Sequence, residues 1–280
     1  MSTAVQARYR GIPAQDGAGV KLTRIINQPA FKTADPFLML DEFRSDNPDD
    51  YIAGFPPHPH RGFCTLTYML AGQMQHKDSV GNSGLVEAGG VQWMKAAKGI
   101  IHEEMPKQQE GLMWGFQLWI NLPAAEKLSA PAWFDYPADK IPQIRQQNYL
   151  VRVIAGQHQE LRGPVEAAGR NLLLLDYQLS SATSFSLASQ GQKQRLLYCY
   201  QGSITVDNET VATGDLLQLD ADEPLHISAQ GQAGFLLLAA EPIGEPVVQY
   251  GPFVMNTATE IQQAIRDYQS GQLAANQKLD

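Results

Sequence analysis

Cysteine is scarce in this chain, with two residues, Cys64 and Cys199, among 280. A disulfide scaffold needs more cysteines, so the sequence predicts a chain that folds around an apolar core in a reducing compartment. Long apolar runs are also missing. No stretch approaches the roughly eighteen residues of a membrane span, and residues 1–10 hold no apolar segment of signal-peptide length. The sequence therefore predicts a cytoplasmic protein without a membrane partner.

Basic residues are outnumbered by acidic ones, 21 against 29, which gives a formal net charge of −8. Proteins that bind a nucleic-acid backbone cluster Lys and Arg, so direct nucleic-acid binding is not expected. The hydrophobic fraction of 44% and the charged fraction of 18% are typical of globular proteins. A chain of this length accommodates one large or two ordinary domains.

Short apolar stretches separated by Gly-rich turns dominate the sequence and predict β-strands. The strands predicted in the first half are 37–43, 64–70, 84–87, 91–95 and 111–121. The pattern then restarts, and the strands predicted in the second half are 149–156, 172–179, 183–187, 194–200, 203–206, 216–219 and 235–240. Strands of this length and spacing predict antiparallel barrels or sandwiches.

Helical signals are confined to two places. The proline-rich stretch 123–142 predicts an ordered connection between domains, with a short helix at 124–128. Near the C-terminus, Thr257 and Glu260 have the spacing of a capping box, and Gly271 is a natural helix stop. The sequence therefore predicts one short helix near its C-terminus.

Two pairs of polar residues stand two positions apart in predicted extended segments: His58 with His60, and His102 with Glu104. Residues two apart on an extended backbone point to the same side. Such pairs on facing strands would present three nitrogens and one carboxylate oxygen to one point. This donor set suits iron, copper, nickel or zinc rather than calcium or magnesium. Either pair alone is common at surfaces, but the two together, about forty residues apart, predict a metal site.

Two further polar groups have other interpretations. Asp46, Asp49 and Asp50 match no calcium-loop spacing and predict a solvated turn. His76 and Asp78 share one face, and two hypotheses remain open for them: they line the mouth of the pocket, or they form a structural hydrogen-bonded pair. Neither is expected to be a metal ligand.

The second half of the chain lacks this chemistry. Its histidines, His158 and His226, are far apart and form no His-x-His pair. Scattered histidines are more often structural or exposed than metal ligands, so we predict a second barrel without a metal. Cys199 lies in an apolar strand and is expected to be a small core residue.

The motifs of this chain resemble those of the pirin family of bicupins over nearly its whole length. The matching segments are His58-Pro59-His60-Arg61-Gly62-Phe63, Thr65-Leu66-Thr67-Tyr68, His76-Lys77-Asp78-Ser79, Gly81-Asn82, Val91-Gln92-Trp93-Met94, Gly99-Ile100-Ile101-His102, Glu104-Met105-Pro106, Gln117-Leu118-Trp119-Ile120-Asn121-Leu122 and Gly251-Pro252-Phe253-Val254-Met255-Asn256-Thr257. Two places depart from the family: Cys64 stands where pirins usually carry Glu, and Ala88-Gly89-Gly90 replaces a Pro-Gly-Asp turn.

The resemblance implies an all-β fold of two cupin (jelly-roll) barrels in tandem, followed by a short C-terminal helix. We divide the chain into an N-terminal metal-binding barrel, 1–135, and a C-terminal barrel without metal, 136–280, which includes the helix. The resemblance further implies one Fe(II) per chain, although other divalent transition metals remain open. The implied ligands are His58, His60, His102 and Glu104.

Four protein ligands leave up to two octahedral positions open, which is typical of a catalytic or sensory metal site. The resemblance implies quercetin 2,3-dioxygenase activity, in which a flavonol and oxygen give a ring-opened depside and carbon monoxide, with Glu104 as the base. Apolar residues near the motif would suit a small, flat aromatic substrate, although each one alone is more typical of core. These residues are Phe55, Phe63, Met94 and Met105.

A second hypothesis belongs to a different class. The resemblance also implies a non-enzymatic redox sensor, whose iron oxidation state controls docking on a transcription factor or a metabolic enzyme. The acidic balance favours such a protein partner over direct DNA binding. A third hypothesis, metal storage without turnover, fits poorly with open coordination positions. Oxygen uptake distinguishes the enzyme from the other two.

Overall fold

The computed structural model describes residues 4–166 and 171–274. The strands up to residue 145 are β1 (Val5–Arg10), β2 (Ile12–Asp16), β3 (Val20–Ile26), β4 (Phe37–Ser45), β5 (Phe55–His60), β6 (Phe63–Ala71), β7 (Gln73–Asp78), β8 (Ser83–Glu87), β9 (Val91–Lys95), β10 (Ile100–Pro106), β11 (Met113–Asn121), β12 (Ala132–Tyr136) and β13 (Gln143–Arg145). The later strands are β14 (Tyr149–Ala155), β15 (Gln157–His158), β16 (Leu161–Arg162), β17 (Leu173–Leu179), β18 (Thr183–Leu187), β19 (Gln194–Gln201), β20 (Ser203–Val206), β21 (Glu209–Ala212), β22 (Asp215–Leu219), β23 (Leu225–Ala229), β24 (Ala233–Ala240), β25 (Val248–Tyr250) and β26 (Phe253–Met255). Two 3-10 helices, Pro48–Asp50 and Ala138–Lys140, and one α-helix, α1 (Ala258–Gln269), complete the described elements.

The described residues form two compact units. The first-barrel unit comprises residues within Pro13–Asn27, Pro36–Asp139 and Ile243–Asp280, and the second-barrel unit comprises residues within Met1–Ile12, Gln28–Asp35 and Lys140–Pro242. Both units therefore cross the position 135/136 at which the sequence divides the chain. One reason is that β1 pairs antiparallel with β22. The domain ranges 1–135 and 136–280 stay a prediction.

The sheets of the two units follow one plan. The first-barrel unit has a seven-stranded sheet, β12-β9-β6-β11-β4-β3-β2, and a four-stranded sheet, β5-β10-β7-β8. The second-barrel unit has β1-β22-β19-β24-β17-β14-β13 and β18-β23-β20-β21. The orders correspond strand for strand, with β1 in the place that β12 takes in the first barrel. The predicted all-β fold of two barrels with one short C-terminal helix is confirmed.

Aliphatic side chains fill the second barrel between its sheets. One row across its larger sheet, which we call the aliphatic row, consists of Leu217, Leu197, Leu237, Leu175 and Val153 on β22, β19, β24, β17 and β14. All five belong to one buried cluster that also includes side chains of the smaller sheet. Cys199 is buried in the same cluster, as the sequence predicts.

The capping box at the start of α1 is confirmed. Glu260 N donates to Thr257 Oγ1 at 3.2 Å, and Thr257 N donates to Glu260 Oε2 at 2.8 Å. The helix buries Ile261 and Ala264, and Gly271 follows it with a φ of 73°. Within the described residues, no helix is long and apolar enough to cross a membrane.

The short helix predicted at 124–128 is wrong. This segment is a turn in which the amides of Glu126 and Lys127 both donate to the carbonyl of Pro123. An α-helix needs successive hydrogen bonds between residues four apart, and in this segment only the bond from Lys127 N to Pro123 O has that spacing. The aspartates of 46–50 also form a turn, which contains the 3-10 helix Pro48–Asp50, and Asp50 forms an ion pair with Lys21 at 2.6 Å.

The segment after residue 243 packs onto the turn that follows β5. Val254 N donates to Arg61 O at 3.0 Å, and the Arg61 guanidinium forms an ion pair with Asp267 at 2.7 Å. Gly62 has a φ of 92°, and a Cβ at this position would lie 1.9 Å from Val254 O. Only glycine therefore allows β26 to approach this turn so closely.

A buried ammonium fixes the same contact. Lys127 Nζ donates to Gly62 O at 2.8 Å, to Asn121 Oδ1 at 2.6 Å and to Val254 O at 3.0 Å. These bonds use all three ammonium hydrogens. Burial lowers the pKa of Lys127 to about 8. We call these contacts of Lys127 the Lys127 tie.

Candidate metal centre

Three histidines meet in the smaller sheet of the first barrel. β5 carries His58 and His60, and the neighbouring strand β10 places His102 opposite His58. β5 is the edge strand of its sheet, which explains how the sequence tolerates Pro59 between the two histidines. One ring nitrogen from each histidine lies within 4.8 Å of those of the other two.

The ring nitrogens are oriented towards a common point. His58 Nδ1 lies 2.8 Å from Pro56 O. Because a carbonyl only accepts, Nδ1 carries the hydrogen and Nε2 keeps its lone pair. His58 Nε2 and His60 Nε2 lie 3.0 Å apart. His102 Nε2 is buried and has no hydrogen-bond partner.

Burial keeps the imidazoles of His60 and His102 neutral. It lowers the pKa of His60 and that of His102 well below the usual value, and the neighbouring His58 lowers both further. Neutral imidazole nitrogens are ligands for iron, nickel, copper and zinc. An unpartnered buried nitrogen costs free energy unless something binds it. The three histidines therefore fit the transition metal that the sequence predicts.

Glu104 lies on β10 two residues beyond His102, but the group of close donor atoms does not include it. The β5–β10 register shifts between these two residues. Both oxygens of the buried Glu104 carboxylate are hydrogen-bonded: Thr67 Oγ1 donates to Oε1 at 2.7 Å, and Gln117 Nε2 donates to Oε2 at 2.8 Å. A role for Glu104 as ligand or base stays a prediction.

Thr67 and Gln117 belong to a line of polar side chains across the larger sheet, which we call the polar row. Its members are Gln92, Thr67, Gln117, Asp41 and Arg24 on β9, β6, β11, β4 and β3, each in register with the next. The row faces Glu104, since two of its members bond that carboxylate. The larger sheet therefore supplies the donors that hold Glu104.

The far end of the polar row is an ion pair. Arg24 donates to both oxygens of Asp41, at 3.0 and 2.7 Å. Burial raises the pKa of Asp41 to about 6, although the hydrogen bond from Arg24 lowers it. The carboxylate is therefore ionised and paired at neutral pH.

His76 and Asp78 form the buried hydrogen-bonded pair that was one of the two hypotheses for them. His76 Nε2 lies 3.2 Å from Asp78 Oδ2, and both side chains are buried. The other ring nitrogen of His76, Nδ1, lies 3.3 Å from His102 Nδ1. The spacing of His76 and Asp78 could suggest the pair, but not its contact with His102.

Aromatic rings surround His60. The Phe63 and Trp119 rings lie 5.0 and 5.1 Å from the His60 ring, centroid to centroid. Phe63 is fully buried, whereas Trp119 is half-buried. Trp119 is therefore the aromatic side chain beside the histidines that retains an accessible surface. The sequence did not indicate this role for Trp119, because apolar strand residues usually belong to the core.

Cys64, the departure from the family pattern, lies on the other face of β6. It pairs with Ile120 on β11, whereas Thr67 pairs with Gln117, and these two positions differ by an odd number of residues. Burial raises the pKa of its thiol. The substitution of Cys for Glu therefore leaves the donors around the histidines unchanged.

Comparison with known families decides the relationship of the chain. The pirin family model matches residues 19–120, and the model described as the pirin C-terminal cupin domain matches residues 174–274. The chain belongs to the pirin family.

Relatives within the pirin family match this chain over nearly its whole length. A Pseudomonas aeruginosa protein named "putative quercetin 2,3-dioxygenase" is 49% identical over 275 residues, which are 95% of this chain and 96% of that protein. Human pirin is 35% identical over 268 residues, covering 91% and 88%. The crystal structure of quercetin 2,3-dioxygenase from Acinetobacter baumannii matches with a TM-score of 0.90 at 29% identity, covering 98% and 99%. These matches confirm the resemblance and the two cupin barrels.

Proposed function

We propose that this pirin is an iron-dependent dioxygenase of the quercetin 2,3-dioxygenase type, which cleaves a flavonol-like substrate with oxygen. The observation that carries the proposal is the convergence of three histidine ring nitrogens, one of them buried without a partner. The names of the Pseudomonas and Acinetobacter relatives support the same reaction class. A cytoplasmic location is part of the proposal, since two buried free cysteines fit a reducing compartment.

In this proposal His58, His60 and His102 hold the metal, and Glu104 completes the set. Bound Fe(II) would supply Lewis acidity and a one-electron couple for reaction with oxygen. Glu104 accepts the proton of the substrate hydroxyl at a carboxylate oxygen. The donors from Thr67 and Gln117, one to each oxygen, fix the orientation of the carboxylate.

The neighbourhood of the histidines suits a flat aromatic substrate. The half-buried Trp119 ring lies tilted by 32° against Phe63, at a centroid distance of 4.4 Å. An aromatic ring that stacks on another gains about 0.5–1.5 kcal/mol beyond simple burial. Trp119 is therefore the proposed contact for the substrate ring.

The test is oxygen consumption by anaerobically iron-loaded protein with quercetin, with carbon monoxide measured in parallel. We expect uptake coupled to carbon monoxide release in the wild type and its loss in His102→Ala. The control is His158→Ala, which removes a histidine of the second barrel that bonds Tyr177 and should retain uptake. No uptake by protein that demonstrably holds iron would overturn the proposal.

The alternative is a redox sensor that docks on a protein partner. The observation that favours it is the ion pair between Arg61, the residue after His60, and Asp267 on α1. This contact links the histidine strand to a helix with exposed side chains. Amide hydrogen exchange in α1 that differs between the Fe(II) and Fe(III) proteins, without oxygen uptake, would favour this alternative.

A further inference from the structure

Two buried side chains next to the histidine cluster have no part in the reaction described above. His76 and Asp78 lie on β7, and β10 places His102 opposite Asp78. The contacts run from His102 Nδ1 to His76 Nδ1 at 3.3 Å, and from His76 Nε2 to Asp78 Oδ2 at 3.2 Å. Two hydrogen bonds therefore connect a predicted metal ligand to a carboxylate.

We propose that His76 and Asp78 are positioning residues that hold His102 in the tautomer and orientation in which Nε2 is free to bind a metal. The proposal rests on the proposed metal site. It does not depend on which reaction that site performs.

Only one arrangement of hydrogens satisfies both hydrogen bonds in the series His102, His76, Asp78. If His102 Nδ1 carries the hydrogen, it donates to His76 Nδ1, and His76 Nε2–H donates to the Asp78 carboxylate. In the reverse arrangement the hydrogen of His102 sits on Nε2, which is buried and has no acceptor. An unsatisfied buried donor costs about 1–3 kcal/mol. The chain therefore selects the tautomer that leaves a lone pair on Nε2.

The carboxylate at the end of the chain is itself fixed. Asp78 Oδ1 accepts from the amides of Val80 and Asn82, both at 2.9 Å, and Oδ2 accepts from Asn82 Nδ2 at 2.8 Å. Burial raises the pKa of Asp78, but the hydrogen bonds from His76 and Asn82 outweigh it and hold the pKa below its usual range. Asp78 is thus an acceptor with a defined position.

The ring of His76 is held by packing. The Trp133 ring stacks against it at a centroid distance of 5.5 Å and an angle of 19°. The end of β7 is also tied to β10 beside His102, because Ser79 N donates to Ile101 O at 2.8 Å and Ile101 N donates to Ser79 Oγ at 3.0 Å. The His76 ring and the backbone beside His102 are therefore both fixed in place.

This series of hydrogen bonds is one residue longer than the arrangement usually found behind a metal-binding histidine. A metal-binding histidine usually donates its second N–H directly to a carboxylate, a carbonyl or water, and loss of such a partner costs about 10- to 100-fold in metal affinity. Here an imidazole stands between the histidine and the carboxylate. We expect loss of the imidazole to have an effect in that range.

The test uses zinc, because its binding requires no redox chemistry. In ¹⁵N-histidine-labelled wild type loaded with zinc, we expect a protected N–H on His102 Nδ1 and the metal on Nε2. His76→Phe keeps the stacking on Trp133 but removes both hydrogen bonds, so zinc affinity should fall about 10- to 100-fold. His76→Gln offers His102 an acceptor again and should restore most of that loss.

The control is Tyr200→Phe, which removes a buried hydrogen bond to the Asp176 carboxylate, 2.6 Å long, in the second barrel. Its zinc affinity should equal that of the wild type. A His102 hydrogen on Nε2 in the zinc protein, or wild-type affinity in His76→Phe, would overturn the proposal, as would a wild type that binds no zinc. If the protein binds zinc as expected but consumes no oxygen with iron, the proposed function fails and this inference stands.

Discussion

The two barrels share the same strand order and differ in the row of side chains that runs across the larger sheet. The polar row of the first barrel and the aliphatic row of the second lie on corresponding strands of the two seven-stranded sheets. In the second barrel, the aliphatic row packs against the smaller sheet in one apolar cluster. In the first barrel, the polar row donates hydrogen bonds to Glu104. The same strand arrangement can thus enclose either a packed apolar core or a row of polar side chains that bonds a buried carboxylate.

The smaller sheets differ in the same way. Where β5 and β10 carry His58 opposite His102, the corresponding strands β18 and β23 carry Ser186 opposite His226. Ser186 Oγ lies 2.8 Å from His226 Nδ1, and both residues are exposed. A single histidine on this strand pair provides no converging set. In these two barrels, the polar interior accompanies the converging histidines, and the apolar interior accompanies their absence.

The largest expected change in the free energy of unfolding comes from placing a polar residue in the aliphatic row. Leu197→Gln buries an amide at a position with 0% exposure, so the free energy of unfolding should fall by about 3–5 kcal/mol through lost apolar burial and unsatisfied hydrogen bonds. Urea denaturation measures the change. Leu128→Gln, at a position with 62% exposure, is the control and should stay within about 0.5 kcal/mol of the wild type. Equal effects at the two positions would contradict the comparison.

A smaller effect concerns Lys127, the buried ammonium of the first barrel. Its pKa in the folded state, about 8, lies below the ordinary value for lysine of about 10.4. Between these pH values unfolding takes up a proton, so the free energy of unfolding should rise with pH. The gain over that window should reach about 3 kcal/mol relative to Lys127→Met, which lacks the group. Parallel pH dependence of the two proteins in urea unfolding, from pH 7.5 to 10, would show that Lys127 titrates normally in the folded state.

The smallest effect expected comes from one hydroxyl of the polar row. Thr67→Val removes the donor to Glu104 Oε1 with little change in shape, and the free energy of unfolding should fall by about 1–3 kcal/mol because a buried carboxylate oxygen loses its partner. Thr65→Val, two positions earlier on the same face of β6, leaves the bonds of Glu104 intact and should cost less. Thermal unfolding compares the two variants. A larger loss in Thr65→Val would refute the role given to Thr67.

Local patterns predicted most elements of this molecule. Strands such as β9, the capping box at Thr257 and the shared face of His58 and His60 all depend on residues a few positions apart. Gln117 could not be predicted in this way. The apolar residues of β11 alternate with it and are buried, and such alternation is typical of a strand whose polar face is exposed to solvent. Its partner Glu104 becomes visible only once β10 and β11 belong to facing sheets.

Contacts between distant segments could not be predicted from the sequence for the same reason. Nothing near β1 indicates that it pairs with β22, more than 200 residues away. The contact of His76 with His102 depends on the register of β7 and β10. Registers of this kind follow from the packing of the whole barrel, and short-range periodicity does not specify them.

The Lys127 tie has a consequence for the order in which the protein matures. Domains generally fold as units while the chain is being synthesised, the N-terminal one first. The strand that packs against Gly62 is β26, which the ribosome makes only after the entire second barrel. A nascent chain that has been synthesised as far as Lys127 contains all three histidines, but its ammonium still lacks Val254 O as an acceptor. The turn that follows His60 therefore reaches its final contacts only after β26 has been synthesised.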